Sequence, residues 1–198
     1  MLRSPRIRCP ATREDLRRVE INHVDFDGEV ARGVLVVNQD IADSVVRVFT
    51  RLFEEGFPIR RMRPVEEYDG DNNASTADES PHANGRAIDI NPWENPWRDL
   101  RCACWSPSGE FSAREEGRGK ILEGGFVWRT FFDEGWIWEN IDVPDYMHFD
   151  TGYPSGPFTP EVARQNQEAV EAGQAAAEAA APPQTPRDPR VRGDRPAP

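Results

Sequence analysis

Histidine, cysteine and lysine are scarce in this sequence, and long apolar runs are absent from it. No apolar stretch reaches the about 18 residues that a membrane-spanning helix needs, so we expect no membrane span. The three cysteines are an odd number, which excludes a complete disulfide framework. Only one residue separates Cys102 from Cys104, too few for an ordinary disulfide, so we expect two ordinary thiols in a loop.

Basic residues are also in short supply, because 24 Lys and Arg residues face 35 Asp and Glu residues and leave a net charge of −11. A nucleic-acid partner requires a basic surface, so this balance argues against one. The 198 residues, 37% of them hydrophobic and 10% aromatic, suffice for one domain with a core and a tail, and we expect a monomer. No apolar segment follows the basic residues 1–10, so no secretory signal is visible.

Apolar spacing predicts two helices and several short strands. The first helix is predicted to begin at the capping residue Asp40 and to end at Gly56. Its apolar face comprises Val45, Val46, Phe49, Leu52 and Phe53. The second helix is predicted over 123–134. Strands are predicted at 33–37, 57–63, 86–91, 136–138 and 146–149, and irregular structure at 66–81 and 92–118.

Composition divides the chain into three parts. Residues 1–24 are charged and weakly patterned, and we expect an N-terminal extension there. Residues 25–160 contain the predicted helices and strands and form the expected folded domain. Residues 161–181 are rich in Ala, Glu and Gln and predict a helix, whereas 182–198 are rich in Pro, Arg and Asp and cannot bury enough surface to fold.

Two of the three histidines lie in sequence contexts typical of a metal site. His82 is followed by Gly85, which lets the chain reverse, and then by Asp89, so the imidazole and the carboxylate can face one point. His148 lies on another predicted strand, with Asp145 three residues before it. Two histidines and one carboxylate are a common ligand set of catalytic zinc, which keeps its fourth coordination position open.

The spacing of these residues leaves a structural alternative open. A histidine next to aromatic residues is more often a packed strand residue than a ligand. Asp89 is harder to explain in that way, because it lies between two isoleucines and an unpaired buried carboxylate costs several kcal/mol. A metal ion is one partner that would stabilise it. The third histidine, His23, lies outside both motifs, and we expect it to be structural or on the surface.

The two motifs together resemble those of a known zinc peptidase family. Ser80-x-His82-x-x-Gly85-x-Ala87-x-Asp89, followed by Asp145-x-x-His148-Phe149, is similar to the motif pair of the D-alanyl-D-alanine carboxypeptidases. That family includes the VanY and VanX resistance enzymes and the L-alanyl-D-glutamate endopeptidases of phage endolysins. Further similarity lies in 57–63, 88–92 and 135–138, so that the resemblance spans about residues 25–150.

The resemblance implies a role for each motif residue. The implied zinc ligands are His82, Asp89 and His148. Asp145 is the implied catalytic base, and an Asp at this position is frequent in the endopeptidase branch. Arg63 is implied to bind a substrate carbonyl or carboxylate and to stabilise the developing oxyanion. Ser80 is implied to line the substrate cleft.

The implied fold is α+β, a small antiparallel sheet with flanking helices, as in the hedgehog and D-Ala-D-Ala peptidase group. The implied function is zinc-dependent hydrolysis of an amide bond in peptidoglycan stem peptides, of the L-Ala-D-Glu type, at the cell wall if the chain is exported. Two alternatives stay open: a D-Ala-D-Ala carboxypeptidase or dipeptidase, and an inactive binding module that keeps the zinc fold. The segment 66–79 is shorter than the resemblance leads us to expect, which leaves substrate choice undecided.

Overall fold

Small antiparallel sheets and three α-helices make up the part of the chain that the computed structural model describes, residues 11–63, 81–139 and 143–181. The strands are β1 (Leu16–Val24), β2 (Val30–Asn38), β3 (Ala87–Asp89), β4 (Trp97–Asp99), β5 (Cys104–Ser106), β6 (Ile137–Trp138) and β7 (His148–Asp150). The helices are α1 (Ala42–Glu54), α2 (Phe126–Phe132) and α3 (Pro160–Ala180), and a short 3₁₀ helix spans Arg13–Asp15. The predicted α+β class is confirmed.

Strands β1 and β2 form a nine-pair antiparallel hairpin that runs from Leu16 opposite Asn38 to Val24 opposite Val30. The carboxylate of Asp25 shapes the turn, because its Oδ1 accepts hydrogen bonds from the backbone N–H groups of Asp27 (2.8 Å) and Glu29 (2.9 Å). Residues 16–24, which we expected in an N-terminal extension, form β1 of this hairpin. The sequence boundary that we placed at residue 25 therefore falls at the hairpin turn.

The core lies where α1 packs on the hairpin and on α2. Helix α1 buries Val45, Val48, Phe49 and Leu52, all with 3% of their surface exposed or less. Val46 was predicted on this face, but that prediction is wrong, since Val46 is 43% exposed. The buried stripe of a helix follows i, i+3, i+4 and i+7 from Val45, whereas Val46 lies about 100° around the helix from Val45 and therefore outside this stripe.

Aromatic stacking joins α2 to the central sheet. The ring of Phe131 stacks on that of Phe149 with 3.9 Å between centroids, and it meets Trp136 edge to face at 5.4 Å. The sheet has the strand order β3-β7-β6, and the pairing of Ile88 with Phe149 places both on the face that α2 covers. Because side chains alternate along a strand, the neighbouring residues of β3 and β7 point to the opposite face.

Two further segments differ from their predicted structure. Residues 57–63, predicted as a strand, run beside the hairpin with a single bridge from Pro58 to Val24, and their buried residues Ile59 and Met62 are three apart instead of two.

Residues 92–118, predicted as irregular, contain the short hairpin β4–β5. At its turn Cys102 and Cys104 form a disulfide, so the expectation of two free thiols is wrong. The positive φ of Ala103 (51°) turns the chain so that the two Cα atoms are 5.2 Å apart.

Helix α3 begins at a Thr159 cap, whose side-chain oxygen accepts a hydrogen bond from the N–H of Val162. Asn166 fixes its first half to the body by donating to the carbonyl oxygens of Gly135 (2.8 Å) and Thr151 (3.1 Å). Residues 171–180 of the helix are exposed, and the predicted unfolded segment 182–198 lies outside the described residues. None of the helices in the described ranges is both long and apolar enough to cross a membrane.

Candidate metal centre

Three side chains each place one potential metal-ligand atom at a common point, on the face of the central sheet opposite to α2. His82 Nε2 lies 3.0 Å from His148 Nδ1 and 3.3 Å from Asp89 Oδ1, and the remaining edge, from His148 Nδ1 to Asp89 Oδ1, measures 3.1 Å. Zinc bonds of about 2.0–2.1 Å in tetrahedral geometry place ligand atoms about 3.3 Å apart. The triangle therefore has the size of one face of a zinc tetrahedron, and its nitrogen and oxygen donors suit that ion.

Sheet register and a tight turn position the three donors. Asp89 on β3 is directly opposite His148 on β7, so alternation sends both side chains to the same face. His82 reaches them from a turn closed by hydrogen bonds from Gly85 N to His82 O (3.0 Å) and from Arg86 N to Pro81 O (2.8 Å). Gly85 has φ 65°, and a Cβ there would lie 2.9 Å from the backbone nitrogen of Asn38. The predicted reversal at Gly85 is therefore present.

An ion pair fixes the His82 turn to the body of the protein. Arg86 donates to the carboxylate of Asp40 from Nε (3.1 Å) and from Nη2 (2.6 Å), and both side chains are largely buried. The same carboxylate accepts a hydrogen bond from the backbone N–H of Phe158 (2.9 Å). We predicted Asp40 as the cap of α1, but the residue at the cap is Ile41. Asp40 instead anchors the segment that carries His82.

Asp150 holds the imidazole of His148 from the side away from the other donors. Its Oδ2 lies 3.0 Å from His148 Nε2, its side chain is 1% exposed, and its Oδ1 accepts a hydrogen bond from Gly152 N (2.7 Å). A carboxylate on the second ring nitrogen fixes the orientation and tautomer of a metal-binding histidine and makes it more basic. Our sequence reasoning missed Asp150, although its position two residues after His148 on one strand was a usable signal.

The charges of the site act strongly on the pKa values of two of the donors. Burial alone would lower the pKa of His148, but the hydrogen bonds with Asp150 and Asp89 outweigh it and raise the pKa to about 10. Loss of hydration alone would raise the pKa of Asp89, although its side chain is partly exposed, but the nearby His82 and the hydrogen bond with His148 hold it well below its usual range. In the metal-free site His148 therefore keeps a proton near neutral pH, and a metal ion must displace this proton in order to bind the imidazole.

Asp145 lies beside this triangle at the entrance to β7. Its backbone N–H donates to Glu139 Oε1 (3.1 Å), and its backbone carbonyl accepts from His148 N (3.1 Å). Its Oδ1 is buried and has no hydrogen-bond partner within the described ranges. Burial, and then the negative charge of Asp89, raises the pKa of Asp145 to about 7. A carboxyl group with this pKa can both accept and donate a proton near neutral pH.

Two further predicted site residues are not brought to the triangle by any described contact. Arg63 is exposed, and no contact described for it reaches the three donors, so its role stays a prediction. Ser80 lies outside the described residues. His23 is buried in β1, with 5% of its surface exposed, and its burial lowers its pKa.

Comparison with known protein families picks out the same segment of the chain. Residues 73–151 match the family model described as D-alanyl-D-alanine carboxypeptidase. This carboxypeptidase model, which represents zinc peptidases, spans the three donors and Asp145 and supports a peptidase. Its match begins after Arg63 and after the β1–β2 hairpin. No curated protein and no solved structure matches the chain.

Proposed function

We propose that this chain is a zinc-dependent peptidase that hydrolyses an amide bond in peptidoglycan stem peptides, with the L-Ala-D-Glu bond as its target. The observation that carries the proposal is the triangle of donors on His82, Asp89 and His148 beside the buried carboxyl group of Asp145. The family match over the same residues supports the peptidase chemistry.

His82, Asp89 and His148 would hold the zinc ion, and Asp150 would keep the imidazole of His148 in position. The chemistry that zinc supplies in such a site is acidification of a water molecule to a pKa of about 7 and polarisation of the scissile carbonyl. Asp89 is 36% exposed at its side chain, so this side of the triangle is open to a substrate.

Asp145 would move the proton. Its free oxygen Oδ1 accepts a proton from the attacking water, and the water oxygen forms a bond to the carbonyl carbon. When the carbon–nitrogen bond breaks, Asp145 gives this proton to the departing amine. The products are a carboxylic acid and an amine, and Asp145 is again ionised for the next cycle. Arg63 would stabilise the negative charge on the carbonyl oxygen.

The bond that is cleaved separates two candidate activities. The Asp at position 145 favours the endopeptidase, whereas the description of the matched family favours a D-Ala-D-Ala carboxypeptidase. Mass spectrometry of products released from purified peptidoglycan, with and without a zinc chelator, distinguishes them. We expect chelator-sensitive products with a new D-Glu amino terminus; released D-Ala would instead establish the carboxypeptidase.

Two variants sharpen this experiment. Asp145→Asn is expected to abolish turnover while it leaves zinc bound. Asp27→Asn, an equivalent change at an exposed residue of the hairpin turn, serves as the control and is expected to keep full activity. Turnover by Asp145→Asn at the rate of this control would contradict the proposed mechanism. A wild-type protein that binds zinc but releases no product would favour the binding module.

A further inference from the structure

The disulfide between Cys102 and Cys104 is placed where a reductant can reach it. Both cysteines and the intervening Ala103 are exposed at the turn of the β4–β5 hairpin. Ala103 is held at φ 51°, a conformation that a residue with a Cβ rarely adopts. Exposed disulfides are the ones that exchange readily with thiols, whereas structural disulfides are protected from reduction.

The short loop that this disulfide closes argues against a purely structural role. A cross-link stabilises a protein chiefly by restricting the unfolded chain, and the effect grows with the length of the closed loop. Here the cysteines are only two positions apart, so the bond restricts almost nothing of the unfolded chain. Its effect is local and falls on the geometry of the hairpin turn.

Strand β4 of this hairpin is bonded to the backbone around the catalytic base. Arg98 N donates to the carbonyl oxygen of Pro144 (2.7 Å), and Trp97 forms an antiparallel bridge with Asp145. On the other side of that bridge, Tyr146 N donates to Pro96 O (3.4 Å). Residues 144, 145 and 146 therefore pair with Arg98, Trp97 and Pro96, in that order.

Strand β5 contacts the same segment through its side chains. The ring of Trp105, the residue after Cys104, stacks on that of Tyr146 with 5.4 Å between centroids and 23° between planes. The guanidinium of Arg98 lies 5.6 Å from the centre of the Trp105 ring and links the two strands. Each strand of the hairpin is therefore in contact with the 144–146 segment. Cys104 is the first residue of β5, and the turn that contains Cys102 follows β4 directly.

We propose that Cys102 and Cys104 form a site of reversible thiol–disulfide exchange with a dithiol, and that the state of this bond controls how firmly the hairpin positions Asp145. One thiolate of the dithiol attacks a sulfur of the pair and displaces the other cysteine as a thiolate. The second thiol of the dithiol then resolves the mixed disulfide. Two electrons pass to the protein, both cysteines end as thiols, and the dithiol leaves as a disulfide.

The consequence for catalysis rests on the proposed function, whereas the structural coupling can be measured without any substrate. Hydrogen exchange followed by mass spectrometry compares the zinc-loaded full chain carrying the bond with the Cys102→Ser, Cys104→Ser double variant, which mimics the reduced state without added reductant. Both proteins carry Cys9→Ser, so that the pair contains the only cysteines. We expect faster exchange of the amides at 97–98 and 145–146 in the double variant and unchanged exchange in the β1–β2 hairpin.

Two results would overturn the proposal. The first is the finding of free thiols at both positions after oxidation with excess disulfide reagent. The second is identical amide exchange at 145–146 in the two proteins.

With the coupling present, we expect kcat of the double variant to fall by about tenfold or more and its KM to stay near the original value, since a small misplacement of a catalytic group acts on turnover. Faster exchange combined with the absence of peptidoglycan cleavage by either protein would support the coupling and contradict the proposed function.

Discussion

The raised pKa of Asp145 predicts that its replacement stabilises the metal-free protein in a pH-dependent way. In the unfolded chain this carboxyl group ionises near its ordinary pKa of 3.8, whereas in the fold its pKa is about 7. Between these values the folded protein keeps a proton that the unfolded chain has lost. Stability therefore falls as the pH rises through this range, and the loss is complete above pH 7. Asn carries no charge at any pH, so the Asp145→Asn variant escapes this loss.

The size of this stability difference follows from the part of the range between the two pKa values that the experiment covers. From pH 5 to the folded pKa of about 7, each pH unit costs the wild-type protein about 1.4 kcal/mol. The stability gained by Asp145→Asn should therefore be about 2–3 kcal/mol larger at pH 8 than at pH 5. Because Oδ1 of Asp145 has no partner within the described ranges, the substitution removes no hydrogen bond from that atom.

The assay is urea unfolding of chelator-treated protein at pH 5 and at pH 8, followed by tryptophan fluorescence. The Asp27→Asn protein is measured in parallel, and we expect its free energy of unfolding to differ from that of the wild type by the same amount at both pH values. An equal stability difference for Asp145→Asn at pH 5 and pH 8 would refute the reasoning. That result would mean that Asp145 is already ionised in the metal-free fold at pH 5.

Three further predictions concern the residues around the triangle. Asp150→Asn removes the carboxylate from His148 Nε2 and should weaken zinc binding about 10- to 100-fold in a chelator competition, and unchanged affinity would contradict its role. Asp40→Ala leaves the largely buried guanidinium of Arg86 without its carboxylate partner and should cost about 3–5 kcal/mol of unfolding free energy, with weaker zinc binding because the turn is released. A stability loss below about 1 kcal/mol in urea unfolding would show that the pair does not anchor the turn. Arg63→Ala should lower kcat/KM about 100-fold at unchanged zinc affinity, and full activity would remove Arg63 from the site.

The donor triangle of His82, Asp89 and His148 could be predicted from the sequence because its signals lie in two short motifs, and the resemblance of this motif pair to that of the carboxypeptidases implied the three residues as ligands. Asp89 lies between two isoleucines, and Gly85 marks the reversal before it. His148 lies between Met147 and Phe149 on a second predicted strand. Helices α1 and α2 were predictable because apolar periodicity within a short window indicates each of them, whereas the α+β class was implied by the family resemblance. Asp150 was within reach of this reasoning, because residues two apart on a strand share a face.

The features that sequence reasoning missed depend on contacts between distant residues or on concealed patterns. The ion pair of Asp40 with Arg86 joins residues 46 positions apart, and neither side chain signals the other. Strand β1 was missed because Arg17 and Arg18 follow its first apolar residue and obscure the alternation that continues at Val19 and Ile21. The segment 57–63 alternates like a strand in sequence, yet it forms only one bridge, at Pro58, because the chain bends at Arg60.

The zinc content of the purified chain and of its His148→Ala variant tests the central claim most directly. Both proteins are loaded with zinc and dialysed, and the metal is then measured by mass spectrometry against protein concentration. We predict one zinc ion per chain in the wild type and none in the variant, because His148 supplies one corner of the donor triangle. The absence of zinc from the wild type, or its full retention by His148→Ala, would contradict the proposed metal centre.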